Sequence, residues 1–400
     1  MPSVRRRGVA VAALLAVAAC DPGTRSSTTG PAATVRTPAG SASSAPAAGA
    51  STLATRAPGS PSPAPPSAPR EAAPSPAAAS LSAASQPAAD AGPAATVAPT
   101  ADPNARATLA FGGDVHFEGS SRSGLSGELG SAFGPLRDAD AGFVNLETAI
   151  TDRGTPGPKA YTFRAPARAL TVLKAAGVDA ATVANNHGLD YGRVGFADTL
   201  AASRTVGLPL IGGGADQAAA FTPWRGTLNG IRVAVFGATD VLDSYAIDTW
   251  PATATRAGLA ATKDQQSLLD AVRTERSHSD VVVVFMHWGT ERVVCPTGRQ
   301  QQLARDLAGA GASLVVGSHA HVVQPAREVG RIPVFYGLGN FHFYARGGAG
   351  SVTGVAEATI GPRGVVSTRW IPGRVSSGTP QLLTGSAARA ASAAFAATCR

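Results

Sequence analysis

Val281-Val282-Val283-Val284-Phe285-Met286 runs directly into His287-Trp288-Gly289. Six apolar residues in a row, four of them β-branched, do not suit a strand with one wet face. They read as a strand covered on both faces, the kind that helix-flanked sheets bury. The neighbours fit. Gln265–Arg276 reads as a helix upstream, Gln300–Ala310 as a helix downstream, and Ser313–Val316 as the next short strand. Moving toward the N-terminus, the same alternation recurs. Thr108–Val115 is a strand, Leu129–Ala139 is helix-like, and Gly142–Leu146 is a strand. Arg168–Ala176 is a helix feeding the strand Ala180–Ala184. Val194–Val206 is a helix before Pro209–Ile211, and Ile231–Gly237 is another strand. Ile332–Tyr336 follows at the other end, and Ser351 to Leu383 holds shorter β-like stretches. Short apolar runs separated by helices predict an α/β protein with buried strands.

The ends of those strands carry the chemistry. Asp114-Val115-His116 follows the first strand and Asn145-Leu146-Glu147 ends the second. Asn185-Asn186-His187 ends the third, His287 ends the Val-rich one, and His319-Ala320-His321 ends the one after it. Ligands of open α/β sheets gather at the carboxyl ends of strands. Side-chain alternation would point Asp114 with His116, and His319 with His321, the same way. A single histidine after a strand is ordinarily a hydrogen-bonded structural residue. Five of the chain's seven histidines at strand ends, each beside Asp, Glu or Asn, predict instead a metal-type constellation. Six to eight such donors exceed one tetrahedral site and match two divalent ions, with Mn, Zn or Fe suited to imidazole and carboxylate. His278, flanked by serines before a strand, reads as surface, and His342 as peripheral. No Walker loop, G-x-S-x-G elbow or strand-borne G-x-G-x-x-G is present, which removes the main support for nucleotide-kinase, α/β-hydrolase and Rossmann readings.

The chain has 400 residues and a net charge of +8, from 34 basic and 26 acidic groups. Arg outnumbers Lys 31 to 3 without basic runs beyond residue 7, a codon-bias pattern rather than a nucleic-acid footprint. Arg5, Arg6 and Arg7 followed by apolar Val9 to Ala19 form a signal peptide over residues 1–20. Its ending, Val17-Ala18-Ala19-Cys20, resembles the lipobox of bacterial lipoproteins, making Cys20 the expected lipidation site. Residues 21–105 are almost wholly Ala, Pro, Ser, Thr and Gly, with eight charged residues and no aromatic. Such a stretch buries too little apolar surface to offset its ordering entropy and reads as a disordered, extended tether. Residues 106–400 are the folded domain. The expected location is therefore outside the cell, lipid-anchored to the outer face of the cell membrane. Export favours disulfides, so Cys295 and Cys399 are free to pair if their geometry permits.

Gly113-Asp114-Val115, Val144-Asn145-Leu146-Glu147, Ala184-Asn185-Asn186-His187, His287-Trp288-Gly289 with Glu291, Gly317-Ser318-His319-Ala320-His321 and Gly337-Leu338-Gly339-Asn340-Phe341 resemble, in order, the motif series of the CapA family. These are capsule or poly-gamma-glutamate biosynthesis proteins related to calcineurin-like metallophosphoesterases. The resemblance covers about residues 107–345. It implies a metallophosphatase-like four-layer αββα sandwich with two mixed β-sheets and a dinuclear metal site. It would place Asp114, His116 and His321 on one metal, and Asn186, His287 and His319 on the other. Glu147 would bridge where the wider superfamily has Asp, and His187 would be the proton donor. His116 matches the D-x-H pattern of the phosphoesterases, which many CapA relatives lack.

Two classes of function follow. One is a metal-dependent hydrolase of capsule or poly-gamma-glutamate-type polymer synthesis, acting on a phosphoester or on the polymer. The other is a non-catalytic scaffold of an envelope-polymer export complex, with other synthesis proteins as partners. In the hydrolytic reading His187 is a general acid, Arg164 clamps an anionic substrate, and Asp190 and Asn340 support the site from behind. Trp288 reads as packing.

Overall fold

The computed structural model describes residues 102–344 and 347–399. The expected signal peptide with Cys20, and residues 21–101 of the expected tether, lie outside the described residues. In chain order the main strands are β1 (Ala107–Val115), β2 (Ala141–Leu146), β3 (Ala180–Thr182), β4 (Leu210–Ile211), β5 (Trp224–Leu228), β6 (Ile231–Thr239), β7 (Val281–His287), β8 (Leu314–Ser318), β9 (Val323–Val329), β10 (Ile332–Leu338), β11 (Asn340–His342), β12 (Val352–Gly361), β13 (Gly364–Ser376) and β14 (Thr379–Leu382). The main helices are α1 (Arg168–Ala175), α2 (Gly192–Val206), α3 (Gln265–Arg276), α4 (Gly298–Ala310) and α5 (Gly385–Ala397).

Two mixed sheets result. The first runs β14-β13-β12-β1-β2-β3-β4, with β11 also pairing β1; the second runs β9-β10-β8-β7-β6-β5. The inner strands β1 to β4, and β6, β7, β8 and β10, pair in parallel, while hairpins add antiparallel strands at the edges.

The Val-rich strand shows why its apolar run is continuous. Val281, Val283 and Phe285 face the first sheet, in one cluster with Leu109, Phe111 and Phe143. Val282, Val284 and Met286 face outward under Leu268, Leu269 and Val272 of α3 and Leu303 and Leu307 of α4. On the other side, Ala110, Val144 and Ala181 face out under Leu170 and Leu173 of α1 and Phe196 of α2. Helices, sheet, sheet, helices make four layers, so the inner strands of both sheets have no wet face to show as polar alternation. Phe111 stacks on Phe143 at 5.1 Å and meets Phe285 edge-on at 5.9 Å, joining the two sheets.

Three segments differ from expectation. Leu129–Ala139 is not one helix. A three-residue 3-10 turn, Ser131–Phe133, precedes a short helix, Gly134–Asp138, because Gly130 sits at φ 97° and Pro135 starts a new helix. The tail forms two long strands, β12 and β13, rather than short ones. Residues 385–397 form α5, whose Phe395 stacks on Trp370 at 4.9 Å and on Phe335 at 6.4 Å. Just past α5, Cys399 is disulfide-bonded to Cys295, Cα atoms 5.7 Å apart. No helix among the described residues is long and apolar enough to cross a membrane.

Candidate metal centre

Each strand end named from sequence contributes to one place, where the carboxyl ends of β1, β2 and β3 meet those of β7, β8 and β10. Close backbone approach makes this possible. A Cβ on Gly113 would lie 1.9 Å from the Gly339 carbonyl oxygen, and that same oxygen accepts the Asp114 N–H at 3.0 Å. A Cβ on Gly317 would lie 2.0 Å from the Tyr336 carbonyl oxygen, which accepts the Trp288 indole N–H at 2.8 Å. Only glycine lets these strands come together. Trp288 is fully buried and packs, as its sequence position suggested.

Asp114, Glu147 and His321 bring one donor atom each within 4.8 Å of one another. His321 Nδ1 lies 3.3 Å from Asp114 Oδ2, and its Nε2 lies 3.5 Å from Glu147 Oε1. Both carboxylates are fully buried. Burial, and then Asp114, push Glu147 well above the usual carboxylate range. Burial pulls His321 down, but Glu147 and Asp114 outweigh it and hold its proton up to about 10. Glu147 Oε1 accepts no hydrogen bond although it is buried. Two buried carboxylates, one with an unsatisfied oxygen, fit a divalent cation.

Asn186, His287 and His319 meet beside this set. His287 Nε2 lies 2.8 Å from Asn186 Oδ1 and 3.1 Å from His319 Nδ1. Burial lowers His287 well below its ordinary value and His319 to about 3, so both imidazoles are neutral at pH 7, the form that ligates. Asn145 ties the two sets together. Its Nδ2 lies 2.9 Å from Asp114 Oδ1, 3.2 Å from Glu147 Oε2 and 3.2 Å from His287 Nδ1. Asn340 Oδ1 lies 2.9 Å from His321 Nδ1, behind the ligand position.

His187 sits at the edge. Its Nδ1 lies 2.6 Å from Asp190 Oδ2 and its Nε2 lies 3.8 Å from Glu147 Oε1. Lys159 holds Asp190 at 2.7 Å and Asp243 at 3.2 Å, and donates to the Asn186 carbonyl. Phe163 stacks on the His187 ring at 4.2 Å, and its N–H donates to Asp190 Oδ2 at 2.7 Å. Burial lowers the His187 pKa, against the opposing pull of Asp190. Sequence reasoning missed Lys159. The available signal was that it is one of only three lysines in an arginine-rich chain.

Strand alternation does not account for how two sets of residues are placed. The pairing of β1 with β11 slips between Asp114 and Val115, so the period-two logic breaks before His116. His116 stands outside the convergent set with Asp114. Its ring packs among Phe163, Phe343 and Tyr344, its Nδ1 accepts the Glu118 N–H at 3.0 Å, and its buried Nε2 has no hydrogen-bond partner. Burial, and then His342, hold its pKa well below the ordinary value. His319 and His321 lie past the end of β8 in the left-handed region, at φ 88° and 54°. A strained turn, not strand alternation, brings them to the site.

A cavity of about 560 Å³ opens on the site, lined by Tyr161, Phe163, His187, Arg292, His321 and Tyr344 among others. Arg164 is not among its lining residues; its guanidinium stacks on Tyr191, 4.9 Å from the ring centre. Arg292 is the arginine among its lining residues. His342 is buried elsewhere, its Nε2 donating to the Ser121 carbonyl at 2.7 Å, and His278 is exposed.

The PGA biosynthesis protein CapA of Bacillus subtilis is 34% identical over 183 residues, covering 43% of this chain and 44% of that protein. The capsule biosynthesis protein CapA of Bacillus anthracis is 34% identical over 183 residues, covering 43% of this chain and 41% of its own. A probable polyglutamine synthesis accessory protein of Mycobacterium tuberculosis is 29% identical over 208 residues, with 50% and 55% covered. The chain thus spans about half the length of the relatives it matches, or less. Among solved structures, a hypothetical protein from Thermus thermophilus is similar with TM-score 0.44 and 17% identity, over 67% of this chain and 100% of that one. A novel phosphatase of Mycoplasma pneumoniae is similar with TM-score 0.41 and 16% identity, over 67% and 93%. The sequence profile of the bacterial capsule synthesis protein family PGA_cap matches residues 108–345, the stretch that builds both sheets' inner strands and every residue of the centre, and the chain belongs to that family.

Proposed function

We propose that the protein is an exported, Cys20-anchored member of an envelope-polymer synthesis pathway whose folded domain is a metal-dependent phosphoester hydrolase. The observation that carries the hydrolytic reading is the convergence of Asp114, Glu147 and His321 beside Asn186, His287 and His319, with the His187–Asp190 pair at the edge of the same cavity.

Asp114, Glu147 and His321 would hold one divalent cation, and Asn186, His287 and His319 a second. Cations bound there supply Lewis acidity and lower the pKa of water. The chain's own residues do the rest. His187 donates its Nδ1–H to Asp190 Oδ2, an assignment set by the partners, which leaves Nε2 toward Glu147 and the cavity. From Nε2 it delivers a proton to the leaving oxygen of the ester. Asp190 favours the imidazolium that this requires, and Lys159 balances Asp190 when the imidazole is neutral. Phe163 keeps water from one face of the ring. Arg292, at the cavity wall, meets an anionic substrate.

The test is hydrolysis of aryl phosphate mono- and diesters by the purified chain reconstituted with Mn or Zn. Turnover that depends on added metal and falls in His187→Ala supports the reading. Full metal binding without turnover of any ester defeats it and leaves the scaffold of an export complex.

A further inference from the structure

Glu291 belongs to no role assigned above. It is exposed on the loop that follows β7, yet its carboxylate, one nitrogen of His319 and one of His321 lie within 4.8 Å of one another. His321 is thus shared between two convergent sets, one with Asp114 and Glu147 in the interior and one with Glu291 and His319 toward solvent.

The backbone explains how an exposed loop residue is held there. Gly289 turns the chain at φ 94°, and a Cβ at that position would lie 2.8 Å from the Gln300 side chain of α4. Just after Glu291, Arg292 adopts φ 61° and its N–H donates to the Ala320 carbonyl oxygen at 2.7 Å. Ala320 is the residue between the two histidines. One hydrogen bond therefore clasps the Glu291 loop onto the His319–His321 turn. The left-handed backbone of a non-glycine residue is costly, and three such residues, Arg292, His319 and His321, occur at this one clasp.

We propose that Glu291 is a further metal ligand of the centre, reaching from the solvent side one of the two cations that His319 and His321 would hold. The inference rests on the reading that the centre binds cations. Two imidazoles and one carboxylate suit Zn, Mn or Fe. A carboxylate on the exposed side leaves further positions of that ion open to water or substrate through the cavity that Glu291 and His321 both line.

The experiment uses the full chain, stripped by chelator and titrated with Mn²⁺ and Zn²⁺ against a chromophoric competitor, with bound metal counted by elemental analysis after gel filtration. Glu291→Gln keeps the shape and removes the charge at an exposed position, so its metal-free melting temperature should match wild type. Its affinity for one equivalent should fall by at least the roughly 10–100-fold that losing even an outer partner costs. Glu328→Gln, a change elsewhere on the surface, serves as the control. Wild-type affinity and stoichiometry in Glu291→Gln, with wild type itself binding metal, overturns the proposal and leaves the rest of the centre standing. If wild type binds neither ion, this proposal and the metal-centre reading fall together.

Discussion

His187 Nδ1 and Asp190 Oδ2 lie 2.6 Å apart, and the same oxygen accepts the Phe163 N–H at 2.7 Å. Asp190 therefore fixes a ring and the loop stacked on that ring with one atom. Lys159 holds its other oxygen at 2.7 Å, so the carboxylate cannot swing away. In the proposed hydrolytic reading the pair presents Nε2 in one direction, and Asp190 favours the charged imidazole against the effect of burial.

Asp190→Asn tests that role. The amide can offer an N–H where the carboxylate accepted one, which favours the wrong tautomer. Metal content should stay at the wild-type level because Asp190 touches none of the ligating atoms. Turnover on an aryl phosphate with a poor leaving group should fall by about 10²–10⁴-fold, the usual worth of a positioned acid. The loss should shrink as the leaving group improves. A uniform loss across leaving groups would mean that Asp190 only holds the loop.

The proposed anchoring is tested at Cys20, which follows the apolar stretch ending in Val17-Ala18-Ala19. Cys20→Ser should release the protein from the membrane or stall its processing, read by fractionation and by the size of the mature chain. Unchanged membrane association with normal processing rules out the lipid anchor.

The buried strands were legible wherever a strand is covered on both faces, because Val281–His287 has no polar face to confuse its reading; the four-layer arrangement came from the family resemblance. Strands with a wetter face were not legible. Trp224–Leu228 holds Arg, Gly and Thr, and Val323–Val329 holds Gln, Pro, Arg and Glu. Both lie at sheet edges, where such residues are tolerated and the pattern of a buried strand is absent. At the centre, strand ends located Asp114, Glu147, His287, His319 and His321. Two contributions are invisible to any local rule. The left-handed turn that gathers the two histidines, and the reach of Lys159 to Asp190 across 31 residues, depend on tertiary packing.

The Cys295–Cys399 bond closes a loop with a sequence separation of 104 residues. It pins the chain just past α5 to the loop after β7, while α5 itself has no fully buried residue. Packing alone is thus a weak hold on this helix. Reduction, or Cys399→Ser, should lower stability by about 2–4 kcal/mol through the added freedom of the unfolded chain. Denaturant unfolding with and without reductant measures it. An unchanged midpoint would show that Phe395 against Trp370 and Phe335 suffices.

Glu147 makes the strongest case for a cation from stability alone. It is fully buried, faces Asp114 and Asn145, and has His321, His187 and Lys159 as the surrounding basic groups. Burial and Asp114 raise its pKa in the folded state, so the folded protein holds this proton more tightly than the unfolded chain does. For an acid shifted upward, the sign is fixed. Chelator-treated protein loses stability as pH rises from the ordinary Glu range through the raised value, because ionisation is easier in the unfolded chain. Bound metal reverses this, since a cation favours the ionised form. Glu147→Gln removes both effects. Its chelated form should melt higher than chelated wild type at pH 8, with a flatter pH dependence, while most of the gain that Mn or Zn gives wild type should disappear. Thermal melts across pH 4–8, with and without metal, supply the four curves. If chelated wild type is as stable at pH 8 as at pH 5, and metal adds nothing, then Glu147 is balanced by His321 and its neighbours without a cation.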